Sequence, residues 1–94
     1  MGVTFEWDRR KATTNRTKHG VSFEEAMSVF AGALARVFDD PEHSRGERRE
    51  IIVGDAIKQR LLVVCFVELR DCIRIFSTRK ATRREQQDYE ENTT

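Results

Sequence analysis

Apolar and polar positions change rhythm several times along the chain, and each change marks an element. "VTFEW", residues 3–7, alternates and is rich in β-branched and aromatic residues, which predicts a first strand. Asp8 then offers an N-cap, and residues 9–19 read as a helix with almost no apolar stripe. Burial along its length does not hold such a helix. It must lean on its neighbours through Ala12, Asn15 and His19. Gly20 suits the left-handed position that ends a helix, and Ser22-Phe23-Glu24-Glu25 is a capping box that starts the next one. There Phe23, Ala26, Met27 and Phe30 recur at helical spacing and form one core-facing stripe, with Gly32 as the stop.

The second half reads as strands. "ALARVF" (33–38), "EIIVG" (50–54) and "CIRIFST" (72–78) are short strand patterns, and the almost uninterrupted apolar run "RLLVVCFVEL" (60–69) is the central strand. "DDPEHSRG" (39–46) is a turn or hairpin loop, and Gly54 marks a turn or bulge. Strict alternation in the last strand puts Ile73, Ile75 and Ser77 on one face, with Arg79 next on it, and Arg74 and Phe76 on the other. Thr82-Arg83-Arg84-Glu85 is a second capping box, opening a helix to about Glu91 that is polar except for Tyr89 and therefore peripheral. The expected fold is α+β in the order β-α-α-β-β-β-β-α: a small antiparallel sheet with helices packed on one face, in a single domain spanning 1–94.

With 94 residues, 38% hydrophobic and 35% charged, the core must be small and the surface heavily charged. No run is long and apolar enough to span a membrane, and "MGVTFEWDRRK" has no secretion-type apolar region, so a cytoplasmic location is expected. Cys65 and Cys72 then read as reduced thiols packed as small apolar groups. Without CxxC, HxxxH or HExxH spacing, neither a metal site nor a cofactor is expected, and His43 within "DDPEH" reads as part of a solvated turn. The net charge of +1 hides a segregation. Residues 9–19 carry Arg9, Arg10, Lys11, Arg16 and Lys18 with no acid, and residues 79–84 carry Arg79, Lys80, Arg83 and Arg84 with none. Such patches either attract phosphates or are solvated faces. Lys18, His19, Arg60, Arg74, Arg79 and Arg83 all fall at or near element ends, where guanidinium groups and a helix N-terminus can bind a bridging phosphate.

"FEWD" (5–8), "KHGVSFEEA" (18–26), "DDPEHS" (39–44), "ERREIIVG" (47–54) and "IRIFSTRKATRREQQDYEE" (73–91) resemble, in this order, the BrnT family, toxins of bacterial type II toxin–antitoxin pairs. The resemblance implies a fold similar to RelE-type ribonucleases and metal-independent RNA cleavage. It also implies neutralisation by a BrnA-like ribbon-helix-helix antitoxin, with operator DNA bound only through that complex. It carries the family's functional lysine onto Lys18 and its arginine after the last strand onto Arg79; an acidic position before the third strand matches Glu47 or Glu50. The family's Thr-x-Arg at the end of the central strand is Val67-Glu68-Leu69 here, so either Arg70, one residue later, takes that role or the cation is missing.

RNA supplies its own nucleophile, the 2′-hydroxyl beside the scissile phosphate, and positioned cations can do most of the rest. On this reading Arg79 and Arg70 stabilise phosphate charge, and Lys18 is a charge stabiliser or a base. His19 is a leaving-group acid or a structural helix end, and Glu47 or Glu50 is a base or a surface carboxylate. Arg60, Arg74, Lys80 and Arg83 bind the RNA. Two other readings remain open: a catalytically weak homologue that pairs with its antitoxin and co-represses an operon, and a plain nucleic-acid-binding domain.

Overall fold

The computed structural model describes residues 3–93. A five-stranded sheet is built from β1 (Thr4–Glu6), β2 (Arg36–Asp39), β3 (Arg49–Asp55), β4 (Leu61–Leu69) and β5 (Cys72–Lys80), in the order β1-β5-β4-β3-β2. Helices α1 (Arg9–His19) and α2 (Phe23–Val29) follow β1, a 3-10 turn (Pro41–His43) joins β2 to β3, and α3 (Arg83–Thr93) follows β5. The fold is α+β, but the sheet is mixed rather than wholly antiparallel, because β1 runs parallel to β5. A strand of three residues carries no sequence signal for its partner, and two helices separate β1 from the meander it joins.

α1 and α2 pack on one face. There Ile52, Leu62, Val64, Phe66 and Ile75 meet Val21, Phe23, Ala26 and Val29 in a continuous core. Phe30 joins it edge-on to Phe5 and Phe66. Gly54 is not a turn: it pairs with Leu62 inside β3, and a Cβ there would come within 3.0 Å of Ala35 and 3.1 Å of Val29. α3 departs from the one-face expectation. It crosses one end of the opposite face, where Tyr89 is buried and its hydroxyl donates to the Leu34 carbonyl at 3.0 Å. No helix among the described residues is long and apolar enough to cross a membrane.

Local rules set the helix ends. The Asp8 carboxylate accepts from Lys11 N, and Gly20 closes α1 with φ 70°. Ser22 caps α2 by accepting from Glu25 N at 3.1 Å, but the box is only half formed. The Glu25 carboxylate is buried and instead takes two bonds from Arg60, at 2.6 and 2.8 Å, while Arg60 also donates to the Gly20 carbonyl. The second box is complete: Glu85 N donates to Thr82 Oγ1 and Thr82 N to the Glu85 carboxylate.

α1 has little apolar surface to bury, and a polar clasp holds it. β1 pairs with β5 only at residues 72–74, so the edge of β5 beyond them lacks a strand partner. Asn15 fills part of that gap. Its amide accepts from Thr78 N at 3.0 Å and donates to the carbonyls of Thr78 (2.9 Å) and Val21 (3.0 Å), all within the interior. Asn15→Ala leaves buried backbone groups unpaired, a cost of about 3 kcal/mol. We expect a clear drop in the urea midpoint; an unchanged midpoint would show that the clasp does not hold α1.

Candidate active site

One extra residue in β5 decides what the open face of the sheet presents. Phe66 pairs with Ile75, but Cys65 pairs with Ser77, so Phe76 is a bulge. A bulge shifts the alternation of a strand by one step. Ile73 and Ile75 therefore face the core, whereas Ser77 and Arg79 face the opposite side with Cys65 and Val63. This corrects the strict alternation expected for the strand, which grouped Ser77 and Arg79 with Ile73 and Ile75.

The open face carries a groove of about 500 Å³. Its floor is Ile51, Val63, Cys65, Ser77 and Arg79. α1 forms one wall with Lys11 and His19, and the β2–β3 turn brings Asp40 and His43 to the same groove. At one end Arg49 stacks on Phe76, its guanidinium carbon 3.8 Å from the ring centroid, and Lys11 approaches the same ring at 5.3 Å. Arg79 makes a two-bonded pair with Glu85 at 2.8 and 2.9 Å. The Arg79 guanidinium, with help from the Thr82 amide, holds the Glu85 carboxyl at about 2. Burial, with Asp40 adding to it, pushes the Cys65 thiol up to about 11, so it is no nucleophile at neutral pH.

Of the expected site residues, the groove gathers His19 and Arg79, and Lys18 lies at its lip beside Lys11, Phe76 and Ser77. The others are elsewhere. Arg70 is exposed in the β4–β5 turn and does not line the groove. Glu50 pairs with Phe66 and alternates to the helix-bearing face, while Glu47 precedes β3, 3.6 Å from Arg49. Arg60 is committed to Glu25, and Arg74 to Glu6 across the β1–β5 edge. Lys80 lines a separate cleft with Arg60, Asp55 and Gln86, and Arg83 is exposed on the first turn of α3.

Sequence reasoning missed Arg49 and the Asp40–His43 pair. Extending the alternation of "EIIVG" back one residue to Arg49 would have put it opposite Ile52. The turn "DDPEH" is not wholly solvated either: Asp40 is buried and its carboxylate accepts from His43 Nδ1 at 2.9 Å. Among the described residues no group of three His, Cys, Asp or Glu side chains could hold a metal ion.

The low value at Glu85 has a consequence for acid stability. Its folded pKa of about 2 lies below the ordinary 4.5, so the pair stabilises the fold fully above pH 4.5 and loses that contribution as pH falls toward 2. Glu25, also held low by Arg60, acts in the same direction. We expect Arg79→Ala to flatten the fall in urea midpoint between pH 4.5 and 2 without abolishing it; identical slopes in parent and variant would refute the coupling.

Residues 7–85 match a protein family described as ribonuclease toxin, BrnT, of type II toxin-antitoxin system. A crystal structure of the Brucella abortus ribonuclease toxin BrnT is similar in fold, with TM-score 0.62 and 24% identity, covering 86% of this chain and 99% of that one. Comparison with curated protein sequences gives no match. The family match extends from Trp7 to Glu85, and so takes in both walls of the groove and the Arg79–Glu85 pair: the chain belongs to the BrnT family of ribonuclease toxins of type II toxin–antitoxin systems.

Proposed function

We propose that this chain arrests growth by cutting RNA without a metal ion, through attack of the 2′-hydroxyl on the adjacent phosphate, and that a small BrnA-like ribbon-helix-helix antitoxin neutralises it. The observation that carries the reading is the meeting of Arg79, Arg49, Lys11 and His19 on one groove of an otherwise nearly neutral protein. An in-line displacement at phosphorus builds negative charge on the non-bridging oxygens, and preorganised guanidinium groups stabilise that charge. Glu85 fixes the rotamer of Arg79 through one N–H on each terminal nitrogen, and Nη1 also donates to the Lys80 carbonyl, which leaves Nε and the second N–H of Nη2 as donors for phosphate. Phe76, already stacked with Arg49, offers a flat surface to a base. Lys18 at the lip attracts the backbone of the strand, and His19 protonates the departing 5′-oxygen.

Arg49 also bears on the cation that the resemblance finds missing at Leu69. It pairs in register with Val67, near the end of β4, and brings a guanidinium to the groove that Arg70 does not line. Arg70 outside the groove is the observation that favours the second reading, a weak or inactive homologue that pairs with its antitoxin and reaches operator DNA only in that complex.

Purified protein should cleave single-stranded RNA in excess EDTA and leave 2′,3′-cyclic phosphate ends. Activity that vanishes in EDTA and returns with Mg²⁺ would overturn the metal-free mechanism. Arg79→Lys should lower cleavage roughly 10²–10³-fold, because an ammonium cannot reproduce the two-bonded contact. Stability should change by at most about 1 kcal/mol, since the Arg79–Glu85 pair is partly exposed. Undiminished cleavage by Arg79→Lys would remove Arg79 from the phosphate site.

A further inference from the structure

The Asp40–His43 pair has no part in the reading above, yet it is built with more care than a surface turn needs. Every other aspartate among the described residues is exposed; Asp40 is buried. A carboxylate withdrawn from water is costly unless it is paired. Its Oδ2 accepts from His43 Nδ1 at 2.9 Å and lies 3.6 Å from Cys65 Sγ. The turn that presents the pair is held at several points. Asp40 N donates to the Arg49 carbonyl, and the Asp40 carbonyl accepts from His43 N and from the Ser44 hydroxyl. Ser44 Oγ in turn accepts from Arg49 N. The His43 side chain is nonetheless 61% exposed and lines the groove that holds His19 and Arg79.

We propose that His43, oriented by Asp40, is the proton acceptor for the attacking 2′-hydroxyl; this rests on the ribonuclease reading. A hydrogen bond from Nδ1–H to the carboxylate fixes the tautomer, and the lone pair is then on Nε2, the ring nitrogen that Asp40 does not hold. Nε2 takes the 2′-hydroxyl proton as O2′ bonds to phosphorus. The bond from phosphorus to O5′ breaks, and O5′ takes a proton from His19. The products are a 2′,3′-cyclic phosphate and a 5′-hydroxyl, and the two imidazoles regain their starting states by proton exchange with water. The pair divides the labour by environment: His43 has a carboxylate at its back, whereas His19, on α1, has no carboxylate partner among the described residues. The charged and titratable groups facing His43 across the groove are Asp40 from its own turn, Arg49 from β3, Cys65 from β4, Arg79 from β5, and Lys11 and His19 from α1. Asp40 is a positioning residue.

The test uses the full chain and a mixed-sequence single-stranded RNA, followed from pH 5 to 9, and then an oligonucleotide the parent cleaves, made with sulfur in place of the leaving 5′-oxygen. Thiolate departs without a proton, so that substrate needs a base but no acid. His43→Ala should stay folded under the assay conditions, with a urea midpoint below the parent's because buried Asp40 loses its partner, lose roughly 10²–10⁴-fold in cleavage, and lack the acid limb of the pH–rate profile. Asp40→Asn should lower kcat with KM unchanged. Sulfur substitution should restore cleavage by His19→Ala but not by His43→Ala. Parental rates in His43→Ala, or its rescue by sulfur, would overturn the acceptor role while leaving the ribonuclease reading intact. A parent that cleaves no RNA would overturn that reading, and the acceptor role with it.

Discussion

The clasp between Asn15 and the Thr78 backbone is the contact on which the arrangement of this protein turns. β1 covers only the first three residues of β5, so the edge of the strand beyond them has neither a strand partner nor an apolar helix to cover it. One amide supplies both an acceptor and a donor to that edge and still reaches the Val21 carbonyl at the start of the α1–α2 turn. A helix with no apolar stripe is thereby fixed to a strand by polar bonds in a buried site, where such bonds are strong and their loss is costly. Thr78 is adjacent to Arg79, and Asn15 is one helical turn from Lys11 and His19. The clasp that closes the sheet edge therefore also places the wall of the groove that carries Lys11 and His19.

The bulge at Phe76 is the second constraint. Without it, Arg79 and Ile75 would lie on the same side, and a guanidinium would be driven toward the core. With it, β5 supplies Ile73 and Ile75 to the interior and Ser77 and Arg79 to the open face. The displaced Phe76 becomes the platform on which Arg49 and Lys11 rest. Bulges re-aim side chains in this way at the cost of locally disrupted pairing.

Charge is partitioned by the same geometry. Glu25 and Glu6 hold Arg60 and Arg74 in structural pairs, tying the helix corner to the start of β4 and β1 to β5. The Arg79–Glu85 pair differs from these because it lies at the rim of the groove, where the guanidinium still meets solvent. A net charge near zero is thus compatible with a local cationic surface, since acids neutralise the arginines that fasten elements together and leave Lys11 and Lys18 on the open face.

The sequence by itself determined the elements and the starts of the helices, although α2 stops at Val29 rather than Gly32 and β2 starts at Arg36 rather than Ala33. Asp8, Gly20, Ser22 and Thr82 act through backbone groups a few residues away, so their effects are local and can be read in one dimension. The apolar rhythm likewise located the core strands and the buried stripe of α2, and the ordered motifs pointed to the family. Tertiary structure alone decided the parallel seat of β1, the placement of α3 on the other face, and which cations share a groove. Arg60 and Arg74 read like phosphate ligands until their partners, 35 and 68 residues away in the chain, come within bonding distance. The face taken by Arg79 was hidden for the same reason. A bulge is a mismatch between two strands, and neither strand carries it alone; only their pairing fixes on which side the following residues fall.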